Sequence, residues 1–492
     1  MNTRLEKISR TRYTWKNATE NIEVTPRRYF YPESVEDLCL IVREAEKQNL
    51  RVRAVGSGHS FSEVAKGKDF LMDMKHLKGA AKYDINLVEI QNKEKHFVLA
   101  DAGITIRRLN RKLHSWGLAL SNMGAVDFQT ISGALMTGTH GTGIKRPAIP
   151  DMVRALRIVG KYGEKMQIEP TDGITNMARH DQTSDLKLIK DDEIFYSALL
   201  SFGAMGIVFQ LVMEVETSFW IRENRVLMSW KDLKKDLENG DFMKKVNEHD
   251  FVAFRVNPYN VKGEHLCSVV YQDALPDNAS MVKKMQRNIL GTIASNMEVL
   301  IEGTINLLNR KPQRSGKRIQ TALKFSKVVN YTDRSFKVLY QSGAAVTRFG
   351  ISSEFAFPAE SQTIIKAVEH VFATNENLNK NAGLYQSSHI SLRLVPPSEA
   401  YLSSAYHRST LYVDIPILHT TIGDFEILEK YQVEMMKLGG IPHWGKINNM
   451  LYLNNQFIRD NYPKWDAWRK VRRSLDPNGT FLNDFIIEMG LE

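Results

Sequence analysis

Two cysteines in 492 residues, Cys39 and Cys267, are too few for a disulfide framework. Both stand among apolar neighbours, which points to buried free thiols in a reducing compartment. A long uncharged apolar run is missing as well. The most apolar stretch, 289–308, is interrupted by Glu298 and Glu302 and falls short of a membrane-spanning helix. Met1 to Trp15 is charged and lacks the apolar centre of a secretory signal. These absences make cytoplasm the expected compartment, with membrane contact at most peripheral and no integral membrane segment. No internal repeat and no low-complexity tract is found, which excludes solenoids and propellers. Nor is there a clustered His pair of the kind a metal site needs, so no metal is expected.

What is present is an ordinary globular balance, 43% hydrophobic and 25% charged, enough for a sizeable core in two or three domains. The net charge of +10 is spread along the chain. Its densest basic run holds Arg310, Lys311, Arg314 and Lys317 and serves no nucleic-acid motif, so it reads as a solvated loop and no nucleic-acid partner is expected.

The first 215 residues alternate helices and strands. Ser34 caps a helix whose apolar face is Val35, Leu38, Val42 and Ala45. Strands are predicted over 51–55, 70–74, 87–91 and 97–100. A helix follows Thr105 and stops at Gly117. A hairpin is expected over 153–159 and 165–168, turning at Tyr162-Gly163. Asp192 is expected to cap the next helix, before a strand over 207–215. Residues 216–440 have a different texture, with a helical region predicted over 281–308 and strands over 350–357 and 411–417; they read as a separate α+β domain. A Trp- and Asn-rich tail runs from 441 to 492.

Three motifs carry the chemistry. Val55-Gly56-Ser57-Gly58-His59-Ser60-Phe61-Ser62 follows a strand directly, so its amides can form an anion-binding nest with hydroxyls beside it. Phe61 stands where the third glycine of a dinucleotide fingerprint would be, which rules that fingerprint out. Ser132-Gly133 through Thr137-Gly138-Thr139-His140-Gly141-Thr142-Gly143 is a second backbone cradle, suited to a flat polar ring with a pyrophosphate tail. Pro442-His443-Trp444-Gly445-Lys446 puts an aromatic, a glycine and a cation in one short pocket wall.

Taken together, these motifs and their order resemble the aldonolactone oxidase and alditol oxidase group of the vanillyl-alcohol oxidase superfamily of flavoproteins, over nearly the whole chain. The resemblance implies an α+β fold: a PCMH-type FAD-binding domain of two α/β subdomains (1–215), an α+β substrate domain with an antiparallel sheet (216–440), and a C-terminal segment (441–492) returning to the flavin. It implies FAD bonded covalently through His59 alone, since neither cysteine lies near the second cradle. Residues 56–62 would hold the pyrophosphate, 132–143 would line the isoalloxazine, and Gly206-Ile207 would lie on the adenine side. His443 and Lys446 would stand at the flavin, with Lys446 where reduction places negative charge. The implied reaction is oxidation of a CH–OH group in a sugar, sugar lactone or polyol, with oxygen or another electron acceptor.

On the substrate side the chain departs from the group. Where the group carries Glu-x-Arg, this chain has Ser391-Leu392-Arg393, so the arginine is kept and the glutamate is not. A histidine and a threonine further on are matched by Asp414-Ile415-Pro416. Asp414, Glu354 and His389, in that order, are the candidates for general base, with Arg393 and Lys446 to orient and polarise the hydroxyl. The departure implies a more decorated sugar than a free lactone or alditol. Two other outcomes stay open: a flavin-dependent 2-hydroxy acid dehydrogenase, and a non-catalytic flavin- or sugar-binding protein.

Overall fold

The computed structural model describes residues 3–277, 297–341, 343–453 and 455–492, and there the chain lays down three large sheets in the order it runs, besides the two-stranded pair Trp15–Lys16 and Glu23–Val24. The first sheet holds β1 (Arg28–Phe30), β2 (Val52–Val55) and β3 (Phe70–Asp73), with Ser9–Arg10 at its edge. β3 lies between β1 and β2, parallel to both. Parallel neighbours need a crossover, and the helix Val35–Lys47 supplies it. Ser34 Oγ accepts the Asp37 amide at 3.2 Å, and Leu38, Ile41, Val42 and Ala45 form its buried stripe. Gly56 to Ser62 therefore leaves the carboxyl end of a parallel strand, the place where open sheets bind ligands.

The second sheet contains β4 (His96–Asp101), β5 (Val153–Val159), β6 (Lys165–Glu169) and β7 (Ile207–Thr217), in the order β6-β5-β7-β4. The β5–β6 hairpin turns at Tyr162 (φ 58°) and Gly163 (φ 66°), as its sequence predicts. The strand predicted over 87–91 is not formed. Two short 3₁₀ turns, Ile85–Leu87 and Ile90–Asn92, take its place, and Val88 makes one bridge to Thr175. Asp84 accepts the Asn86 amide at 2.9 Å, a local bond that competes with a ladder. The cap predicted at Asp192 falls one residue earlier: Asp191 Oδ1 accepts from Ile194 N at 2.8 Å, while Asp192 takes the Thr171 amide.

Ser218 alone separates β7 from β8 (Phe219–Ser229), where the chain enters the third sheet. That sheet adds β9 (Phe251–Val256), β10 (Leu266–Pro276), β11 (Val328–Arg334), β12 (Gly350–Pro358), β13 (Ile390–Val395), β14 (Thr410–Leu418) and β15 (Ile441–Pro442), in the order β11-β8-β10-β9-β13-β14-β12-β15. The paired strands run antiparallel. Strand alternation sorts its residues. Phe254, Leu392, Val413 and Phe355 face a core shared with the helices Trp230–Glu238, Asp241–Glu248, Ser361–Asn377 and Asp424–Lys437. The opposite face presents Arg255, Arg393, Asp414 and Glu354 toward the first two sheets. Of the helical region predicted over 281–308, residues 281–296 lie outside the described residues, and Glu298–Arg310 is a helix. Arg310, Lys311, Arg314 and Lys317 are exposed where it meets the helix Ser315–Phe325. Among the described residues no helix is long and apolar enough to cross a membrane. Cys39 and Cys267 are buried and unpaired, and burial pushes both thiols up.

After β15 the chain crosses back to the first sheet. Trp468 Nε1 donates to the carbonyls of Ser197 (3.0 Å) and Leu200 (3.1 Å), and Val52 N donates to Thr480 O at 2.8 Å. Arg53, on β2, is the pin between these parts. Its guanidinium donates to the carbonyls of Phe481 (3.1 Å), Val64 (2.5 Å) and Phe202, and burial pushes its pKa down to about 10. Replacing Arg53 with leucine, which fills the space without donors, leaves three buried carbonyls unmet. It is expected to cost about 3 kcal/mol or more, read as a lower Tm; an unchanged Tm would show that the guanidinium holds nothing.

Candidate functional site

A cavity of about 930 Å³ opens between the first two sheets. It is lined by residues 55–60 and Ser62, by Thr130, Ser132, Gly133 and Thr137, and by Gly203, Gly206 and Ile207. Its walls are bare backbone for a reason. A Cβ on Gly56 would stand 2.0 Å from Thr130 Oγ1, and Gly58 adopts φ +69°. Thr130 Oγ1 is buried and, among the described residues, without a hydrogen-bond partner, so a polar ligand group would satisfy it. An FAD fits such a cradle: backbone amides for its phosphates and small residues against its rings.

His59 is half-buried on this cavity, and burial pushes its pKa down to about 4, so its imidazole is neutral near pH 7 with a nitrogen lone pair available. Ser62, expected as a hydroxyl donor, and Ser132, expected in the second cradle, have their hydroxyl protons committed elsewhere. Ser62 donates to Trp444 O at 2.6 Å and Ser132 to Ala102 O at 2.8 Å, which ties the cradle to its surroundings.

The second cradle divides. Residues 132–137 form a short helix, Ile131–Met136, and its turn beside the cavity. Residues 138–143 clamp the third sheet instead. Gly143 N donates to Leu394 O at 2.7 Å, and Thr142 Oγ1 receives the Leu394 amide at 3.3 Å and donates to Val252 O. A Cβ on Gly141 would meet Asn122 Oδ1 at 2.1 Å, so that close approach requires glycine.

His140 stacks on Tyr412 at 3.7 Å between ring centroids and brings Nε2 to 3.4 Å from Glu354 Oε1. His443 accepts the Gly445 amide on Nδ1 at 3.1 Å, which leaves Nε2 to donate to Gly138 O at 3.4 Å. Burial first, then His140 and Lys446, push the His443 pKa down to about 3 against the opposing pull of Glu354.

Lys446 joins the two halves. Its Nζ sits 5.6 Å from the Phe61 ring centre, and Phe61 N donates to Gly445 O at 2.8 Å. The same Nζ donates to Ser352 Oγ at 2.8 Å and Asp414 Oδ1 at 3.2 Å, and lies 3.7 Å from Glu354 Oε2. Arg393 approaches Glu354 Oε1 at 3.9 Å and Asp414 Oδ2 at 3.7 Å. Strand register accounts for this meeting. Glu354 of β12 is paired with Asp414 of β14, which is paired with Ser391 of β13, so the three form one row on one face.

Burial alone would push the Glu354 carboxyl up. Lys446, His140 and Arg393 outweigh it and hold the group well below the usual carboxylate range. His389 is pushed down to about 3 by burial and by Arg255 and Arg225, which makes it a weak base. The ligand atoms of His140, Glu354 and His443 lie within 4.8 Å of one another. With Lys446 and Arg393 already beside that carboxylate, a metal ion would be repelled rather than drawn in.

Sequence reasoning missed Ser352, Tyr412, Thr130 and Arg53. Ser352 lies two residues before Glu354 on the same face of β12, and Tyr412 two before Asp414 on β14, so period two from either carboxylate is the signal that finds them. Nothing local marks Thr130, which lies against Gly56, or Arg53, whose partners Phe202 and Phe481 lie far along the chain.

A profile of the D-arabinono-1,4-lactone oxidase family matches residues 212–489, and one of an FAD binding domain matches residues 26–168. An L-gulono-1,4-lactone dehydrogenase of Mycobacterium tuberculosis is 28% identical over 480 residues, 96% of this chain and 97% of its own. An L-gulonolactone oxidase of Bos taurus is 26% identical over 476 residues, 94% of each chain. Among solved structures, a cholesterol oxidase from B. sterolicum superposes with a TM-score of 0.77 at 15% identity, covering 98% of both chains. A VAO-type flavoprotein from Myceliophthora thermophila gives 0.63 at 13%, covering 94% of this chain and 79% of that one. These likenesses agree with the expected α+β flavoprotein fold.

Proposed function

The chain belongs to the D-arabinono-1,4-lactone oxidase family, and on that premise we propose that it is an FAD-dependent oxidoreductase oxidising a CH–OH group of a sugar lactone or related sugar, with oxygen as acceptor. The observation that carries this reading is the convergence of Lys446, Arg393, Asp414 and Glu354 on one sheet face, with Lys446 reaching back to the first glycine motif. A bound FAD would supply the acceptor for the hydride that leaves the carbinol carbon. The protein's own groups do the rest. Arg393 orients the substrate oxygen. Lys446, held by Ser352, supplies a fixed cation where negative charge develops. Asp414 is the more accessible carboxylate, 6% exposed against 2% for Glu354, and takes the hydroxyl proton on its side chain. Glu354, enclosed by three cationic or imidazole groups, positions Lys446 and Arg393.

The test is anaerobic reduction of the yellow protein by D-arabinono-1,4-lactone, L-gulono-1,4-lactone and a panel of sugars and polyols, followed by peroxide measurement in air. Bleaching by any of them supports the reading, and a flavin that none of them reduces overturns it.

We also propose that His59 holds the flavin covalently. Its neutral nitrogen on the cavity wall supports the bond. Acid precipitation is expected to leave flavin fluorescence in the wild-type pellet and to release it from His59→Ala. Flavin freed from the wild-type protein would refute the tether while leaving the oxidoreductase reading intact.

A further inference from the structure

The row that carries Glu354, Asp414 and Ser391 continues across the sheet. Ser391 is also paired with Arg255 of β9. At a strand spacing of about 4.8 Å, Arg255 stands two strands, on the order of 10 Å, from Asp414. Arg225 of β8 comes to the same place: its Nη2 donates to Gln341 Oε1 at 2.9 Å, and Arg255 Nη2 donates to that same atom at 3.0 Å. Gln341 Oε1 thus accepts from both guanidinium groups and ties Arg255 to Arg225. Behind them the buried Glu223 takes Arg225 Nε at 2.9 Å and Gln272 Nε2 at 2.6 Å, which fixes the cluster from below.

Over this cluster lies a cavity of about 550 Å³, solvent mouth included. Arg255, Arg393, Gln272, Gln341 and Ser391 line it, with Gly141 on the facing wall. Ala253 and Ser391 keep its floor low between the arginines, and Arg393 belongs both to it and to the carboxylate pair. The cavity is therefore a side chamber of the site already described, with two arginines in its wall.

We propose that this chamber receives an anionic substituent, a carboxylate or a phosphate, so that the substrate class is an anionic sugar gripped at Arg255 about one sugar ring from the carbon that is oxidised. The inference rests on the oxidoreductase reading for its reaction, but not for its binding. A planar guanidinium matches two oxygens of a carboxylate or phosphate, and Arg255 and Arg393 both line the chamber. The same positive field appears at the neighbouring His389, whose pKa Arg255 and Arg225 help push down to about 3.

Calorimetric titration of the purified flavoprotein with D-glucose, D-glucuronate and D-glucose 6-phosphate tests this, since the three differ only at the carbon a ring's length from C1. One or both anionic sugars are expected to bind about tenfold or more tighter than glucose, the worth of a charge-assisted pair, and raised salt to narrow the gap. Preference for the phosphate or the carboxylate identifies the anion. Arg255→Gln is expected to reduce the anionic-to-neutral ratio about tenfold and Arg255→Lys to restore part of it. Glucose binding as tightly as both anions, or a ratio untouched by Arg255→Gln, overturns the proposal. Because binding is read without turnover, an anion preference in a protein whose flavin no sugar reduces would sink the oxidoreductase reading and keep the chamber. Reduction without any preference would do the reverse.

Discussion

Replacing Lys446 with methionine is expected to lower the rate of flavin reduction by about 100- to 1,000-fold, the usual loss when a preorganised charge is removed from a developing one. Methionine keeps the length and the packing against Phe61 but not the cation. Stopped-flow reduction at saturating substrate isolates the effect from binding, so the fall should appear in the limiting rate rather than in KM. A second readout separates this role from a structural one. After burial, which raises the Glu354 pKa, Lys446 is the largest influence on that carboxyl and lowers it. Without the lysine the Glu354 value rises, and the acid limb of the pH–rate profile should move toward neutrality. A limiting rate within about threefold of wild type, where substitutions away from a reacting charge usually leave it, would remove Lys446 from the chemistry.

The cofactor half of this site was legible in the sequence because glycines are local signals. Gly56 and Gly58 stand two residues apart in the chain, and the backbone they expose lines the cavity. The substrate half was less legible. The glutamate expected beside Arg393 is serine at position 391, which in one dimension reads as a lost carboxylate. In the sheet, Ser391 lies opposite Asp414 and Asp414 opposite Glu354, so carboxylates from neighbouring strands stand beside Arg393. Register is a long-range property, and no spacing along the chain reports it. The same limit explains the second cradle. Residues 132–143 read as one glycine-rich loop, yet Thr142 and Gly143 serve the contact with Leu394, more than two hundred residues away. Even the misplaced strand over 87–91 fits this account, since its apolar residues had a ladder's composition while Asp84 offered the backbone a closer partner.

Glu354→Gln is expected to be the most destabilising single change at the site. The wild-type carboxyl is held well below its ordinary value of 4.5, by Lys446, His140 and Arg393 against the opposing effect of burial. A folded-state value depressed below the unfolded one contributes stability that is fully present above the unfolded value and is lost as pH falls through the folded one. At neutral pH the glutamine variant lacks that contribution and leaves Lys446 and Arg393 with one fewer of the carboxylates they face, Asp414 remaining. Breaking a buried charge cluster from one side costs about 3–5 kcal/mol, which in a chain this long lowers Tm by about 3–5 °C. The gap between wild type and variant should then close as the medium is acidified below 4.5, because the wild type protonates toward what glutamine already is. Asp414→Asn supplies the contrast. Asp414 is less enclosed than Glu354, so its amide should cost less in Tm and more in the rate of flavin reduction. Calorimetric scans near neutrality and in acid, run beside stopped-flow reduction for both variants, check the pair. Equal Tm losses with equal rate losses would mean that the two carboxylates share one role, and the division between a positioning glutamate and a proton-accepting aspartate would fail.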